Sequence, residues 1–576
     1  ILTIDGVGEW ATASIGIGEN NSLKMLKEMS FPNSVGLLYS AFTQFVGFKV
    51  NSGEYKMMGL APYGKPIYYD TILKYLVEIK EDGSIIINQD YFSYLEGSAM
   101  TNEKFSKLFG GPPRQSEARI TKREMDIASS IQKVTEKIIF NMASYTKKLT
   151  GAENLCLSGG VALNCVANGN LIKSNLFKDI WIQPASGDAG SSLGCAFDAY
   201  FSYFKNERVL EESNSSLQAG SLLGPSWTKN EIESFLNSTD AKYNYYPDDK
   251  EKNKIIAEKI KEGKVLGLFL GRSEFGPRAL GSRSIIGDPR NKDMQTRLNL
   301  KIKFRESFRP FAPSILKEKS NHYFELDKES PYMMLVTPIN KNKRLPTKSN
   351  QTENMLEIVK QARSEIPAVT HIDYSARVQT VDKKINNKFY EIIKEFENQT
   401  ECPLVINTSF NVRGEPIVNS PADAYKCFMN TNMDTLVLEN FIIDKNKQID
   451  STSKNWRPTK KNFKKKKTVK NPLDDELIAI YKNIEKVNVN KNFNTNGWKS
   501  SKQIDLNNIF EIPKTLDDYN YETEKMTQEI IKFWNNKSLG SEISFIINEL
   551  LKLSKKYKTN ELKFDDEVSD TMYEMF

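Results

Sequence analysis

The amino-acid sequence predicts an α/β protein with more than one domain. Short apolar runs end in glycine loops and lead into segments of helical period, the strand–loop–helix grammar of α/β architecture. The 576 residues admit about three to four domains of ordinary size. With 39% hydrophobic and 11% aromatic residues the chain can build sizeable cores, which excludes a globally disordered chain.

Taken in order, a first domain is expected over residues 1–204. Its strands are Ile1–Ile4, Asn154–Leu157 and Asp179–Ile182. MDIASSIQKVTEKIIFNMA places apolar residues at helical spacing, so a long helix is expected from Ser116 to Leu149, with Gly151 as its stop. A further helix is expected over Ala196–Tyr203, after SGDAGSSLG. Residues 205–224, rich in Ser, Asn and Gly, read as a linker. A second domain follows over 225–447. It has a helix near Asn230–Phe235, a buried strand VLGLFLG at Val265–Gly271, and later strands at Leu404–Asn407 and Thr435–Leu438. Residues 451–471 read as a Lys-rich solvated linker, and 472–576 as a helical extension with amphipathic segments such as Asp474–Val487 and Ile543–Leu553. The opening ILTIDGVGEW has no initiator Met and no basic leader, and we expect a segment of the same domain to precede Ile1.

The bulk chemistry narrows the function classes. No apolar run is long enough for a transmembrane helix. Five scattered cysteines without a CxxC argue against a disulfide framework and lead to the expectation of a cytoplasmic protein. Only His322 and His371 are present, so this sequence cannot supply a His-rich metal site. The net charge of +7 is misleading, because residues 451–471 alone carry nine Lys or Arg and no acid. The remaining sequence is close to neutral, which disfavours a dedicated nucleic-acid binder.

The densest chemistry lies between Gly271 and Arg309, with ten Lys or Arg against four Asp or Glu. Arg272, Arg278, Arg283, Lys301, Lys303, Arg305 and Arg309 form the cationic set. In FGPRALG and FRPFAPS the arginines sit among Phe, Pro, Ala and Gly rather than on a solvated stripe. A buried arginine needs a partner, and four acids cannot serve ten cations. Guanidinium forks read phosphate and carboxylate oxygens, so this segment reads as a pocket for a small, densely charged anion. NTSFNVRGEP presents Ser409, Asn411 and Arg413 in a loop after a strand, where α/β proteins place ligands. AVTHIDYSARVQTV offers His371 and Arg377; a lone histidine is more often structural than catalytic.

Three glycine loops in the first domain, IDGVGEW, LSGGVALNC and SGDAGSSLG, each follow an apolar strand. Such loops can turn N–H groups toward phosphate oxygens, or simply make tight turns. Asp5 and Asp188 lie in two of them, where a carboxylate could hold a metal or its water. In NSGEYKMMGLAPYG, Glu54 and Lys56 read on spacing alone as a surface ion pair with Lys56 solvated; ribose or phosphate contact is the alternative.

DGVGEW, FPNSVGLLYSAFTQFVGFKVNSGEYKMMGLAPYG, LSGGVALNCVANG, QPASGDAGSSLG, GRSEFGPRALGSRSIIGDPR, LNLKIKFRESFRPFAPS, SPYM, PAVTHIDYSARVQTV and NTSFNVRGEPIV resemble the O-carbamoyltransferases of the nodulation-factor and antibiotic-tailoring type. The resemblance is collinear over about residues 1–445. It implies a partial actin/sugar-kinase-like (ASKHA) domain, its first lobe missing, followed by a YrdC-like α/β domain. The YrdC-like domain would form carbamoyl adenylate from carbamoyl phosphate and ATP with Mg2+. The kinase-like domain would bind the adenylate and pass its carbamoyl group to a hydroxyl of a small-molecule acceptor. By this resemblance Arg278, Arg305, Arg309, Ser409 and Asn411 act in the reaction, and Arg272, Arg283, Lys301, Lys303, Arg377 and Arg413 bind substrate. Glu54, Lys56, Gly159, Gly160, Asn164 and Gly187 contact the nucleotide. Asp5 and Asp188 match metal ligands for an iron-like divalent ion, completed in the family by histidines of an HxxxH motif upstream of DGVGEW. A homodimer is the family expectation. Carbamoylation or threonylcarbamoylation of tRNA, and a non-catalytic nucleotide-binding scaffold, are the competing readings.

Overall fold

Alternating and continuous apolar runs resolve into two large sheets in a computed structural model that describes residues 1–448, apart from 9, 96–98, 208–217 and 348–354, together with 497–500. These residues all belong to one compact unit. The expected linker at 451–471 and the segments Asp474–Val487 and Ile543–Leu553 lie outside the described residues.

The first region begins with β1 (Leu2–Ile4), then a hairpin of β2 (Ala11–Glu19) and β3 (Ser22–Ser30). Helices α1 (Val35–Phe45), α2 (Glu54–Leu60) and α3 (Tyr69–Tyr75) follow, with a small ribbon of β4 (Val77–Ile79) and β5 (Ile85–Ile87), and then α4 (Glu103–Leu108). The long α5 (Lys122–Thr150) precedes β6 (Asn154–Ser158), α6 (Cys165–Lys173), β7 (Asp179–Ile182) and α7 (Ala189–Phe197). α5 starts at Lys122 rather than Ser116 because Glu124 Oε2 accepts from both the N–H and the hydroxyl of Thr121, a capping arrangement that fixes the first turn. It ends where Gly151 takes φ +67°. α7 begins at the glycine loop itself, seven residues before the helix expected at Ala196, because the backbone of SGDAGSSLG already turns helical at Asp188.

The second region supplies β8 (Asn244–Tyr245), β9 (Leu266–Phe269), β10 (Arg283–Gly287), β11 (Ala312–Leu316) and β12 (Leu335–Pro338). It continues with β13 (Ser375–Val381), β14 (Leu404–Ser409), β15 (Thr435–Leu438) and β16 (Phe441–Asp444). These form a nine-stranded mixed sheet in the order β12-β13-β11-β14-β10-β9-β15-β16-β8. Its central strands β9, β10 and β11 are buried at every residue, so they read as continuous apolar runs rather than alternation. The first sheet has the order β17-β3-β2-β1-β6-β7, with β17 (Lys499–Ser500) pairing antiparallel to β3. Within it β1, β6 and β7 are adjacent and parallel, so the loops that follow them share one edge.

The end of the expected linker, residues 218–224, and Pro225 after it brace the arginine-rich loop. Gly224 N–H donates to Ser273 O at 2.9 Å, Ser273 N–H to Pro225 O at 3.0 Å, and Phe275 N–H to Ser221 O at 2.7 Å. The loop between β9 and β10 is clamped from inside by Glu274, whose Oε1 accepts from the N–H groups of Leu280, Ser282 and Arg283. Its glycines serve packing. Gly281 has φ +114°, and a Cβ there would lie 2.2 Å from Cδ1 of Phe389. Gly281→Ala is therefore expected to lower the stability to urea unfolding by about 2–4 kcal/mol through strain and a backbone shift.

Candidate functional site

The end of the second sheet gathers the cations. Arg377 projects from β13, Ser409 closes β14, and β11 begins at Ala312, paired with Asn407. Because β14 runs antiparallel to β10 and β11, its carboxyl end meets their amino ends at one edge. Arg278 arrives on the loop after β9, and Arg305 and Arg309 on the loop before β11. Arg278, Arg305, Arg309, Arg377 and Ser409 thereby line one cavity of about 590 Å3. The first region closes its other side with α2, α5 and the start of α6, through Tyr55, Gln132, Glu136 and Cys165.

The electrostatics are those of an anion site. Arg305 is held well below the usual arginine range by burial and then by Arg309 and Arg377. Arg309 is lowered by burial and by Arg278, with Glu306 opposing, and Arg377 is pushed down to about 10 by burial and then by Arg278. Desolvation and mutual repulsion both penalise these charges, and a bound anion would relieve both. Among the described residues Nε and Nη2 of Arg278 are buried without a hydrogen-bond partner, and the guanidinium lies 4.3 Å from the Tyr55 ring centre. Arg305 donates from Nε to Asn299 Oδ1 at 2.7 Å and stacks 4.6 Å from the Phe311 ring. Beneath the cavity, Gln379 Oε1 accepts from Ser314 Oγ and Asn407 Nδ2, fixing adjacent strands.

Other expected site residues take different places. Arg283 does not reach the cavity. It is fully buried, donates to the carbonyls of Leu270, Ser282, Pro225 and Gly271, and lies 3.5 Å from the Phe269 ring centre. Lys303 is buried behind the site and ties the loop carrying Ser409 and Asn411: its Nζ donates to Ser409 O at 2.6 Å, Asn411 O at 2.8 Å and Asn411 Oδ1 at 2.6 Å. Arg413 is exposed and paired with Glu117. Arg272 is exposed and donates to Leu223 O, and Lys301 is exposed at a helix end. Lys56 is not a solvated partner of Glu54. It pairs with Glu306 at 2.7 Å, both side chains under 20% exposed (16% and 17%), and so joins α2 to the loop of Arg305 and Arg309. Glu54 instead accepts from Ser40 Oγ and Asn51 N–H.

The three glycine loops meet at the carboxyl edge of β1, β6 and β7. Asp5 Oδ1 accepts from Gly6 N–H at 2.8 Å and Gly160 N–H at 3.0 Å, and Gly159 N–H donates to Ser186 O at 2.8 Å. Gly159 has φ +92°, and a Cβ there would lie 2.2 Å from Ile4 O. Asn164 caps α6 by accepting from Ala167 N–H, and it exchanges hydrogen bonds with Gln132. Its neighbour Cys165 lines the arginine cavity, so the glycine-loop edge and the cavity are contiguous at the start of α6. Gly187 and Asp188 lie in the third loop, with Asp188 exposed. Among the described residues no group of three or more His, Cys, Asp or Glu converges as a metal site. Asp5 and Asp188 by themselves do not make a catalytic metal centre, which takes three or more protein ligands.

His371, in the segment AVTHIDYSARVQTV that also carries Arg377, lines the cavity too. Its Nδ1 is 3.5 Å from Asp373 Oδ1, its Nε2 is buried without a hydrogen-bond partner among the described residues, and its ring meets Tyr63 edge-on. Burial would raise the Asp373 carboxyl, but His371 and Ser375 hold it down at about 2.

Comparison with known proteins bears on this geometry. Residues 1–197 match the family described as Carbamoyltransferase N-terminus, and residues 257–445 that described as Carbamoyltransferase C-terminus. An uncharacterized protein of Synechocystis sp. is 54% identical over 451 residues, which cover 78% of this chain and 73% of that protein. Nodulation protein NolO of Bradyrhizobium diazoefficiens is 35% identical over 451 residues, covering 77% of this chain and 75% of its own. Nodulation protein NolNO of Sinorhizobium fredii is 36% identical over 451 residues, and the match spans 60% of its length.

Proposed function

Since the chain belongs to the carbamoyltransferase family, we propose that it is an ATP-dependent O-carbamoyltransferase whose activation step takes place in the four-arginine cavity. In this reading the second region is the YrdC-like activating domain and the first is the kinase-like domain. Carbamoyl phosphate, ATP and water give carbamoyl adenylate, pyrophosphate and phosphate. Carbamoyl adenylate and an acceptor hydroxyl then give the carbamate ester and AMP. The observation that carries the reading is the convergence of Arg278, Arg305, Arg309 and Arg377 on one cavity, where among the described residues none of the four guanidinium groups forms an ion pair with a carboxylate.

The residues divide the work. The four guanidinium groups hold phosphate oxygens and stabilise the negative charge that develops on the departing phosphate and pyrophosphate. Ser409 offers a hydroxyl at the strand end, kept in place by Lys303 and Asn411. Lys56–Glu306 and Tyr63 Oη, which donates to Phe308 O, anchor the arginine loop on the first region. Positioning and electrostatics of this kind are the main protein contributions to phosphoryl-type chemistry. The glycine loops around Gly159, Gly160 and Gly187 would receive the adenylate for transfer.

Incubation of the chain with ATP, carbamoyl phosphate and magnesium is expected to release pyrophosphate only when all three are present, with carbamoyl adenylate detected by mass spectrometry. A folded protein that gives neither product would count decisively against the reading.

A further inference from the structure

The first region places a carboxylate on the wall of the arginine cavity. Glu136 lies on α5 one turn after Gln132, and both line the cavity. Its Oε1 accepts from Gln132 Nε2 at 2.9 Å, and its Oε2 from Asn170 Nδ2 at 2.9 Å. Gln132 is itself oriented, because its Oε1 accepts from Tyr39 Oη at 2.9 Å and from Asn164 Nδ2 at 3.2 Å. The amide therefore has to present its N–H groups toward Glu136 and Asn164. Among the described residues no Lys or Arg forms an ion pair with Glu136; Lys133 lies over the Tyr69 ring at 4.8 Å. Burial raises the Glu136 carboxyl above its ordinary range against the two amide hydrogen bonds and the nearby Lys133 charge.

A carboxylate has about four acceptor positions, and the two amides occupy one on each oxygen. The remainder are free to accept from a ligand. Carbamoyl phosphate alone does not account for the site: its NH2 group could donate to a carboxylate, but the molecule is much smaller than a cavity of about 590 Å3. A ligand that satisfies both walls has an anionic end for the arginines and an end bearing hydroxyl donors. A nucleoside triphosphate has this form, and a carboxylate accepting from ribose hydroxyls is a strong, geometrically specific contact.

We propose that Glu136 recognises the ribose of the nucleotide, accepting hydrogen bonds from its 2′ and 3′ hydroxyls while the phosphates lie on Arg278, Arg305, Arg309 and Arg377. The activation site is then completed by the first region rather than contained in the second. This rests on the ATP-dependent reading above.

The test is equilibrium titration of wild type, Glu136→Gln and Glu136→Ala with ATP, 2′-deoxy-ATP and 2′,3′-dideoxy-ATP. Wild type is expected to prefer ATP over the dideoxy analogue by about tenfold or more, as loss of hydrogen bonds to a charged acceptor predicts. Both variants are expected to compress that ratio to about twofold while binding the dideoxy analogue as wild type does. ATP binding without discrimination in wild type, or an unchanged preference in the variants, overturns this inference alone. No ATP binding by folded wild type overturns the nucleotide reading beneath it. The wild-type comparison needs no substitution, so a variant that misfolds leaves the test intact.

Discussion

Arg309→Ala is expected to slow carbamoyl-phosphate-dependent pyrophosphate release by more than tenfold, about 1.4 kcal/mol of barrier. Arg309 sits within the repelling set of Arg278, Arg305 and Arg377, and burial lowers its proton affinity further. Those are costs to the free protein that a phosphate group offsets on binding. Removing the guanidinium should therefore leave the unliganded protein at least as resistant to urea, while weakening its stabilisation by phosphate ligands. The sign follows from linkage. A base whose folded proton affinity is depressed opposes folding at neutral pH, and the opposition fades as pH rises through the depressed value. For Arg377 that value is about 10, so anion binding should hold from pH 6 to 8 and weaken above about 10. Arg309→Lys should not rescue the rate, because an ammonium cannot reproduce a two-pronged contact. Wild-type rates in Arg309→Ala would remove the residue from the site.

Arg283→Leu is expected to behave in the opposite way: about 2–4 kcal/mol less stable to urea, with the rate per folded molecule within about twofold of wild type. Its guanidinium is surrounded by backbone carbonyls of Leu270, Ser282, Gly271 and Pro225. Leucine fills part of the volume but donates nothing, so several buried acceptors lose their partner. Burial pushes the Arg283 guanidinium down to about 10 even with Glu274 and Glu439 nearby. A specific loss of binding with unchanged stability would return Arg283 to the substrate site.

The contrast between these two arginines shows how much of the site was legible beforehand. Arg278 in FGPRALG and Arg283 in ALGSRSIIG have nearly the same neighbours, and local composition marks both as buried cations. What separates them is strand register. Arg283 opens β10 opposite Phe269, which turns it into the core, whereas Arg278 precedes the strand on a loop. Register depends on partners far along the chain, so local composition does not carry it. Lys56 was misplaced for the same reason: its carboxylate, Glu306, is 250 residues away. Glu136 and Gln132 sit in a long helix whose polar positions look alike, and only packing against the second region shows which of them line a cavity. The α/β class and the ranges of β7 and β15 were readable from short apolar runs. The β2–β3 hairpin was not, because SLKMLKEMS has the spacing of a helix and pairs as a strand only through β2 and β17.

The most direct test is a crystal structure of the chain with carbamoyl phosphate and a non-hydrolysable ATP analogue. The account predicts phosphate oxygens about 2.7–3.2 Å from the guanidinium nitrogens of Arg278, Arg305, Arg309 and Arg377. Both ligands bound elsewhere, with only water between these four arginines, would contradict it.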